Sequence, residues 1–352
     1  MRRSESKKSR KSKPLKPAQW GKFQDERLLD LKIRHLGLSI KGSLVEKCLN
    51  RLYSELANRE LKVKPHCWLS DDWFSPDGIP GIAVPFYMAH PRLRKLEHKQ
   101  MLEVEGGTQA WCMRIMRHEA GHAIDTAFRL HRRKKYREVF GDYNSPYPDS
   151  YRPRPNSKNY VRHLEPCYAQ SHPAEDFAET FAVWLNPRSG WRKNYSGWKA
   201  LGKIEYVDSL MKLLRGEKAK VRSRVQVDPV TRINKTLREH YADRQQQYQV
   251  NRKSNFDLDL KKLFSQIAKS RRTNSAAEFL QKNRADLSRT VAQWTGEYRY
   301  NVNQLIRDMT ERCRELELMA VGDQKQLKQN AIVMLTVHTM NRLHGGHHRV
   351  SL

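Results

Sequence analysis

The sequence predicts an α+β protein: a small sheet ahead of one long, motif-bearing helix, followed by a mostly α-helical C-terminal region. Three observations predict it. Apolar residues recur at helical spacing along most of the chain. One stretch, Ile82-Ala83-Val84-Pro85-Phe86-Tyr87-Met88, is instead continuously apolar, and turn signals precede it at Ser75-Pro76-Asp77-Gly78 and Ile79-Pro80-Gly81. After Gly216 the composition shifts to long polar stretches with few glycines or prolines.

Residues 1–18 set Arg2, Arg3, Lys7, Lys8, Arg10, Lys11, Lys13 and Lys16 among serines, the composition of a disordered basic arm. Residues 24–58 carry helical spacing, first in Leu28, Leu29, Leu31 and Ile33, then after Gly42 in Leu44, Val45, Cys48, Leu49, Leu52 and Leu56. The run from Ile82 to Met88 is expected to be extended, and Pro85 suits an edge strand. A helix is expected from about Thr108 to His131, with Trp111, Ile115, Met116, Ala123, Ile124, Ala127 and Phe128 on its apolar side. Residues 141–166 form a proline- and tyrosine-rich loop. Another helix runs from Pro173 to Leu185 and stops at Asn186-Pro187. A further helix covers about Ile204 to Arg215. Beyond it, Val302, Leu305, Ile306, Met309, Cys313 and Leu316 share one helical face. A boundary near 216–230 follows.

The chain has 352 residues, enough for one large domain or two ordinary ones. No stretch nears the roughly 18 apolar residues that cross a bilayer. The basic N-terminus lacks the apolar segment of a secretory signal. Five scattered cysteines, none in a CxxC pair, argue against a disulfide framework and for a reduced, cytoplasmic setting. With 67 Lys and Arg against 38 Asp and Glu, the formal charge is +29. Such an excess attracts nucleic acid, anionic lipid or acidic protein, and also simply keeps a protein soluble.

The strongest signal is His118-Glu119-Ala120-Gly121-His122. Residues four apart on a helix point the same way, so both imidazoles can close on one metal ion. Glu119 can then reach a water on the open side of that ion. The alternative is a pair of histidines on a solvated helix face. A catalytic zinc takes three protein ligands and leaves one position to water. A histidine six residues after the second is ruled out, because Phe128 stands there. His131 is poorly placed to turn back. The remaining candidates lie in Ala174-Glu175-Asp176-Phe177-Ala178-Glu179-Thr180-Phe181-Ala182, where Glu175 and Glu179 share a face with Ala178 and Ala182. Proline and acids also favour a helix start in their own right.

These two segments resemble the gluzincin branch of zinc metallopeptidases, nearest to lethal-factor-like and Mlc titration factor-like domains and to proteins described as zinc-binding metallopeptidases. The resemblance covers about residues 65–215. It implies a zincin-like metallopeptidase domain over 19–216, while the change in composition after Gly216 separately points to a helical C-terminal domain over 217–352. It also implies one zinc per chain on His118, His122 and Glu175, with Glu119 as general base and acid. Asp125 would orient a ligand imidazole and Glu179 would stand behind the ligands. Tyr168, seven residues before Glu175, would donate to the oxyanion, with His163 and His172 as rivals. Asp176 stands where those relatives are apolar, which makes it a rival ligand. The Ile82–Met88 strand would hold a peptide antiparallel, with loop 141–166 as a cleft wall.

The expected activity is hydrolysis of a peptide or isopeptide bond, on substrates that the basic charge would make acidic. Two other readings stand beside it: a protease working on nucleic acid through its basic surface, and a non-catalytic basic binding protein with a vestigial metal site. No membrane partner is expected, and the oligomeric state is open.

Overall fold

The computed structural model describes residues 15–101, 103–148, 150–151, 154, 156–164, 167–247, 256–265, 274–344 and 350–351. Most of the basic arm expected over 1–18 therefore lies outside the described residues. Two short helices, α1 (Pro17–Trp20) and α2 (Asp25–Leu29), lead into α3 (Leu44–Asn58). Val45, Cys48, Leu52 and Leu56 of α3 are buried, as their spacing predicts.

Strands β1 (His66–Ser70) and β2 (Gly81–Pro85) follow and pair in parallel, with His66 opposite Gly81 and Ser70 opposite Pro85. The sheet that precedes the motif helix is thus present with β2 at its edge, but the outer side of β2 is not open. All five residues of β2 are buried. The loop from 71 to 80 folds back onto its outer side: the Ala83 amide donates to the Phe74 carbonyl (2.8 Å), and the Ser75 hydroxyl donates to the Gly81 carbonyl (2.6 Å). Residues Phe86–Ala89 coil into a 3-10 turn instead of continuing the strand. A peptide cannot add where Phe74 already pairs. The far side of β1 is covered as well, since the Val230 amide donates to the Leu69 carbonyl (2.8 Å).

Helices α4 (Pro91–Met101) and α5 (Gln109–Phe128) come next. Thr108 caps α5, its hydroxyl accepting from the Trp111 amide at 3.2 Å. Fifteen of the 20 residues of α5 are buried, which makes it the central helix of this part of the chain. It ends earlier than expected, because Arg129 turns left-handed (φ 54°) and His131 falls in a separate 3-10 turn. Helix α6 (Lys134–Phe140) and the short strand β3 (Ser150–Tyr151) lead to α7 (Pro173–Leu185). In α7, Pro173 takes the first helical position and the His172 ring caps the start. Short α8 (Trp191–Asn194) and α9 (Lys199–Leu213) complete the packing around α7.

The remaining elements are α10 (Leu237–Gln247), α11 (Asp257–Leu263), α12 (Ala276–Thr295), α13 (Arg299–Glu315), α14 (Gln324–His344) and β4 (Val350–Ser351), the last antiparallel to β3. The apolar core forms two clusters. One gathers the elements up to α9 and continues past Gly216 to Val230, Leu237 and Tyr241. The other is built from α11 to α14, with Val302, Leu305, Ile306, Met309 and Cys313 on the buried face of α13. No described helix is long and apolar enough to cross a membrane.

Candidate metal centre

Helices α5 and α7 touch at their smallest residues. A Cβ placed on Gly121 would lie 2.8 Å from the Ala178 Cα and 3.1 Å from its carbonyl oxygen, so only glycine allows this approach. The closeness decides what Glu175 can reach, because it sits three residues before Ala178 on the same face.

His118 Nε2 lies 3.0 Å from Glu175 Oε2, His122 Nε2 lies 3.1 Å from the same oxygen, and the two Nε2 atoms are 3.1 Å apart. Three donor atoms thus form a nearly equilateral triangle. Tetrahedral zinc with bonds of about 2.0–2.1 Å needs ligand atoms roughly 3.3 Å apart, so the triangle fits it closely. Among the described residues this is the one group of three such side chains with ligand atoms near enough to hold an ion.

The surroundings set the protonation of the triad. Burial alone would lower the His118 pKa, but its hydrogen bonds to Glu175 and Glu179 raise it well above the ordinary value. Burial would raise Glu175, yet His122 and His118 hold it well below the usual carboxylate range. The sequence-predicted partner Glu179 is fully enclosed. One of its oxygens lies 2.8 Å from His118 Nδ1, and the other accepts from the Leu164 amide at 2.6 Å. That bond fixes the ring so that Nε2 faces the centre.

Glu119 follows His118 on α5 and is buried. No described side chain hydrogen-bonds its carboxylate. Burial raises its pKa, against the pull of His118 and His122. An unclaimed carboxylate beside the triad, shifted upward by burial, is equipped to take up and release a proton.

Several expected residues stand elsewhere. Asp125 does not orient a ligand ring: its Oδ1 accepts from the His131 amide (2.8 Å) and lies 2.9 Å from His131 Nδ1, while Tyr136 donates to Oδ2 (3.4 Å). Lying three residues beyond His122, it ties down the turn that ends α5. Asp176 points away from the triad and pairs with Lys203 of α9. Burial pushes its pKa up to about 7. The two alternatives to Tyr168 are also committed, with His163 Nε2 2.9 Å from the Arg114 carbonyl and His172 Nε2 2.9 Å from the Ser145 carbonyl. The Tyr168 ring lies beside that of His118, with centroids 5.5 Å apart.

Tyr147 was not foreseen as a site residue. Its hydroxyl donates to Glu175 Oε1 at 2.8 Å, and its ring stacks on His172 with centroids 3.8 Å apart. The only hint in the sequence was the tyrosine-rich composition of the loop around it.

Two imidazoles and a carboxylate in ligand contact, with a glutamate next to the first imidazole, define a metal site of the kind built from HExxH and a downstream glutamate. Residues 106–195 match the model of a family described as "Putative zinc-binding metallo-peptidase". The match takes in the whole triad, Glu119 and both helices that carry them. No curated protein and no solved structure matches the chain.

Proposed function

We propose that this protein is a zinc-dependent metallopeptidase that hydrolyses peptide or isopeptide bonds with one zinc ion per chain, on a zincin-like domain. The observation that carries this reading is the triangle of His118 Nε2, His122 Nε2 and Glu175 Oε2, with edges of 3.0–3.1 Å, beside the unclaimed carboxylate of Glu119. Zinc bound there supplies an acidified water and a polarised scissile carbonyl.

The chain's own residues do the rest. Glu119 accepts a proton from the attacking water and returns it to the nitrogen of the leaving amine. Glu179 keeps His118 in the tautomer and orientation that present Nε2. The Tyr168 hydroxyl donates to the developing oxyanion. Tyr147 steadies the Glu175 carboxylate through its outer oxygen. Five free cysteines accord with a reducing, cytoplasmic compartment.

The test is Glu119→Gln in the full chain, followed by zinc content and by cleavage of a random peptide library. The expected result is zinc retained at the wild-type level and cleavage lost by a factor of 1,000 or more, on the order expected for removing a general base and its charge. A variant that still cleaves at the wild-type rate overturns the reading.

A further inference from the structure

We propose that residues 218–224, together with Lys62 and Lys64, form a track for the phosphate backbone of duplex nucleic acid. This goes beyond the peptidase reading and does not depend on it.

Two stretches of chain lie side by side to build the track. The Gly216 amide donates to the Glu60 carbonyl at 3.0 Å, and further along His66 Nε2 lies 3.0 Å from the Val225 carbonyl. Beyond that point Trp68 Nε1 donates to the Val227 carbonyl (2.8 Å) and the Ser70 hydroxyl donates to the Asp228 carbonyl (2.7 Å). The second stretch is the longer between its anchors and bows outward. At the bow, the Lys220 and Val221 amides both donate to the Ala127 carbonyl near the end of α5, at 2.9 and 3.0 Å. Where the stretches start out together they flank a groove of about 530 Å³, lined in part by Lys62, Lys64, Arg215 and Gly216. A Cβ on Gly216 would lie 3.9 Å from Lys62 Nζ, so a lysine of one rim reaches the other.

The anchored backbone decides where the side chains point, because successive residues of an extended chain face opposite ways. Ala219, Val221 and Ser223 are half-buried, and Ala219 packs on the main core. Lys218, Lys220, Arg222 and Arg224, between and beside them, are exposed. On the facing stretch Leu61, Val63 and Pro65 are buried, while Lys62 and Lys64 are exposed. Cations along each row therefore repeat about every 6.6 Å. No acid occurs from 218 to 227 or from 61 to 70. Among the described residues none of the six cations is ion-paired; Arg215, paired with Glu60 at 3.6 Å, stands at the head of the groove. Arg222 Nε donates to the Ala219 carbonyl (3.0 Å), and Lys64 Nζ stands 5.8 Å from the Tyr53 ring centre. Like charges fixed in rows repel one another, and a polyanion laid along them relieves that repulsion.

Shape and neighbours select the polyanion. A bilayer presents its charges in a plane and meets only the rims of a groove, whereas a phosphate backbone is a ridge that enters it. An extended peptide turns alternate side chains away, so it offers one row only half of its carboxylates. A nucleic-acid strand carries a charge on every nucleotide. Binders of single strands add exposed aromatic rings on which bases stack. Here Trp68 is 3% exposed, and the Tyr53 hydroxyl is committed to the Pro65 carbonyl (2.6 Å). Cations without a stacking platform grip a duplex by its phosphates, independent of sequence.

The test uses the full chain and a fluorescent 30-base-pair duplex DNA, with anisotropy read from 50 to 200 mM NaCl. Lys218→Gln/Lys220→Gln/Arg222→Gln/Arg224→Gln is compared with a variant of equal charge, Lys261→Gln/Lys282→Gln/Arg314→Gln/Lys325→Gln, whose four positions are exposed on the C-terminal helices. Circular dichroism checks that both fold. The track variant is expected to bind at least tenfold more weakly at 100 mM salt, and its log–log salt slope to shrink by about 3–4. The comparison variant is expected to lose less than threefold. Equal losses in the two would mean that net charge alone binds DNA, which overturns the track. Phosphatidylserine vesicles or polyglutamate competing as well as unlabelled duplex at equal charge concentration would overturn the choice of partner. No readout involves zinc or cleavage, so either failure leaves the peptidase reading untouched.

Discussion

Gly121 of α5 and Ala178 of α7 meet backbone to backbone, with only 2.8 Å between the place a Cβ would take on residue 121 and the Ala178 Cα. The contact sets the distance between the helix that carries both histidines and the helix that carries Glu175. Gly121→Ala must push the helices apart, since backbone cannot yield as a side-chain tip can. Overpacking of this kind costs about 1–3 kcal/mol. Urea unfolding of the metal-free variant should show that loss, and a competitive zinc titration should show weakened affinity. Unchanged values for both would mean the helices adjust freely.

Glu175 and Asp176 are adjacent, yet only Glu175 faces the histidines. Wild-type protein should contain about one zinc per chain, removable by a chelator. Glu175→Ala should lose most of it after identical purification. Asp176→Asn should keep its zinc, because its carboxylate pairs with Lys203. Zinc lost from the asparagine variant alone would exchange the two roles.

Tyr168 lies beside the His118 ring and Tyr147 bonds Glu175, so the two should fail differently. Tyr168→Phe should lower kcat about 100-fold with zinc retained, the usual scale for one oxyanion donor. Tyr147→Phe loses its bond to Glu175 and should weaken zinc binding, with a much smaller effect on kcat at saturating zinc. Steady-state kinetics and zinc titration of both variants separate the two roles.

Arg117 immediately precedes His118 and makes a two-pronged pair with Glu55 of α3, both bonds 2.7 Å and both side chains below 10% exposure. Arg117→Met leaves the Glu55 charge enclosed and facing only Arg51, so a loss of about 3–5 kcal/mol is expected. Arg117→Met/Glu55→Met should recover part of it. Denaturation midpoints of wild type, single and double variants provide the comparison.

His240 of α10 is buried against Phe86, with ring centroids 5.0 Å apart, and its Nε2 has no partner. Burial, aided by the nearby Arg244 charge, pushes its pKa down to about 4, against an ordinary 6.5. The unfolded chain therefore binds the extra proton first as pH falls. Stability is full above about pH 6.5 and declines towards pH 4, by about 3 kcal/mol from this group. His240→Phe should flatten that part of the profile. An identical slope in both proteins would assign the acid sensitivity to other groups.

Much of the metal centre was readable because it depends on spacing within single helices. The spacing of four from His118 to His122 places both rings on one side of α5 whatever else the chain does. Pro173 and the acids after it mark the start of α7, and Leu185 before Asn186-Pro187 marks its end, as found. A continuous apolar run and the turn residues before it likewise located one strand of the first small sheet.

Relations between elements were settled only by packing. Which of Glu175, Asp176 and Glu179 meets a histidine depends on how α7 is rotated against α5, and the contact of Gly121 with Ala178 and the pull of Lys203 on Asp176 fix that rotation. Asp125 is close to His122 in sequence but faces the turn after α5, so Glu179, 61 residues from His118, holds the imidazole instead. The apolar run that suggested an open edge strand is closed by its own preceding loop at Phe74. Tyr147 reaches Glu175 across 28 residues of chain. A helical period constrains neighbours one turn away, whereas contacts between helices depend on crossing distance and rotation, which the whole core determines at once.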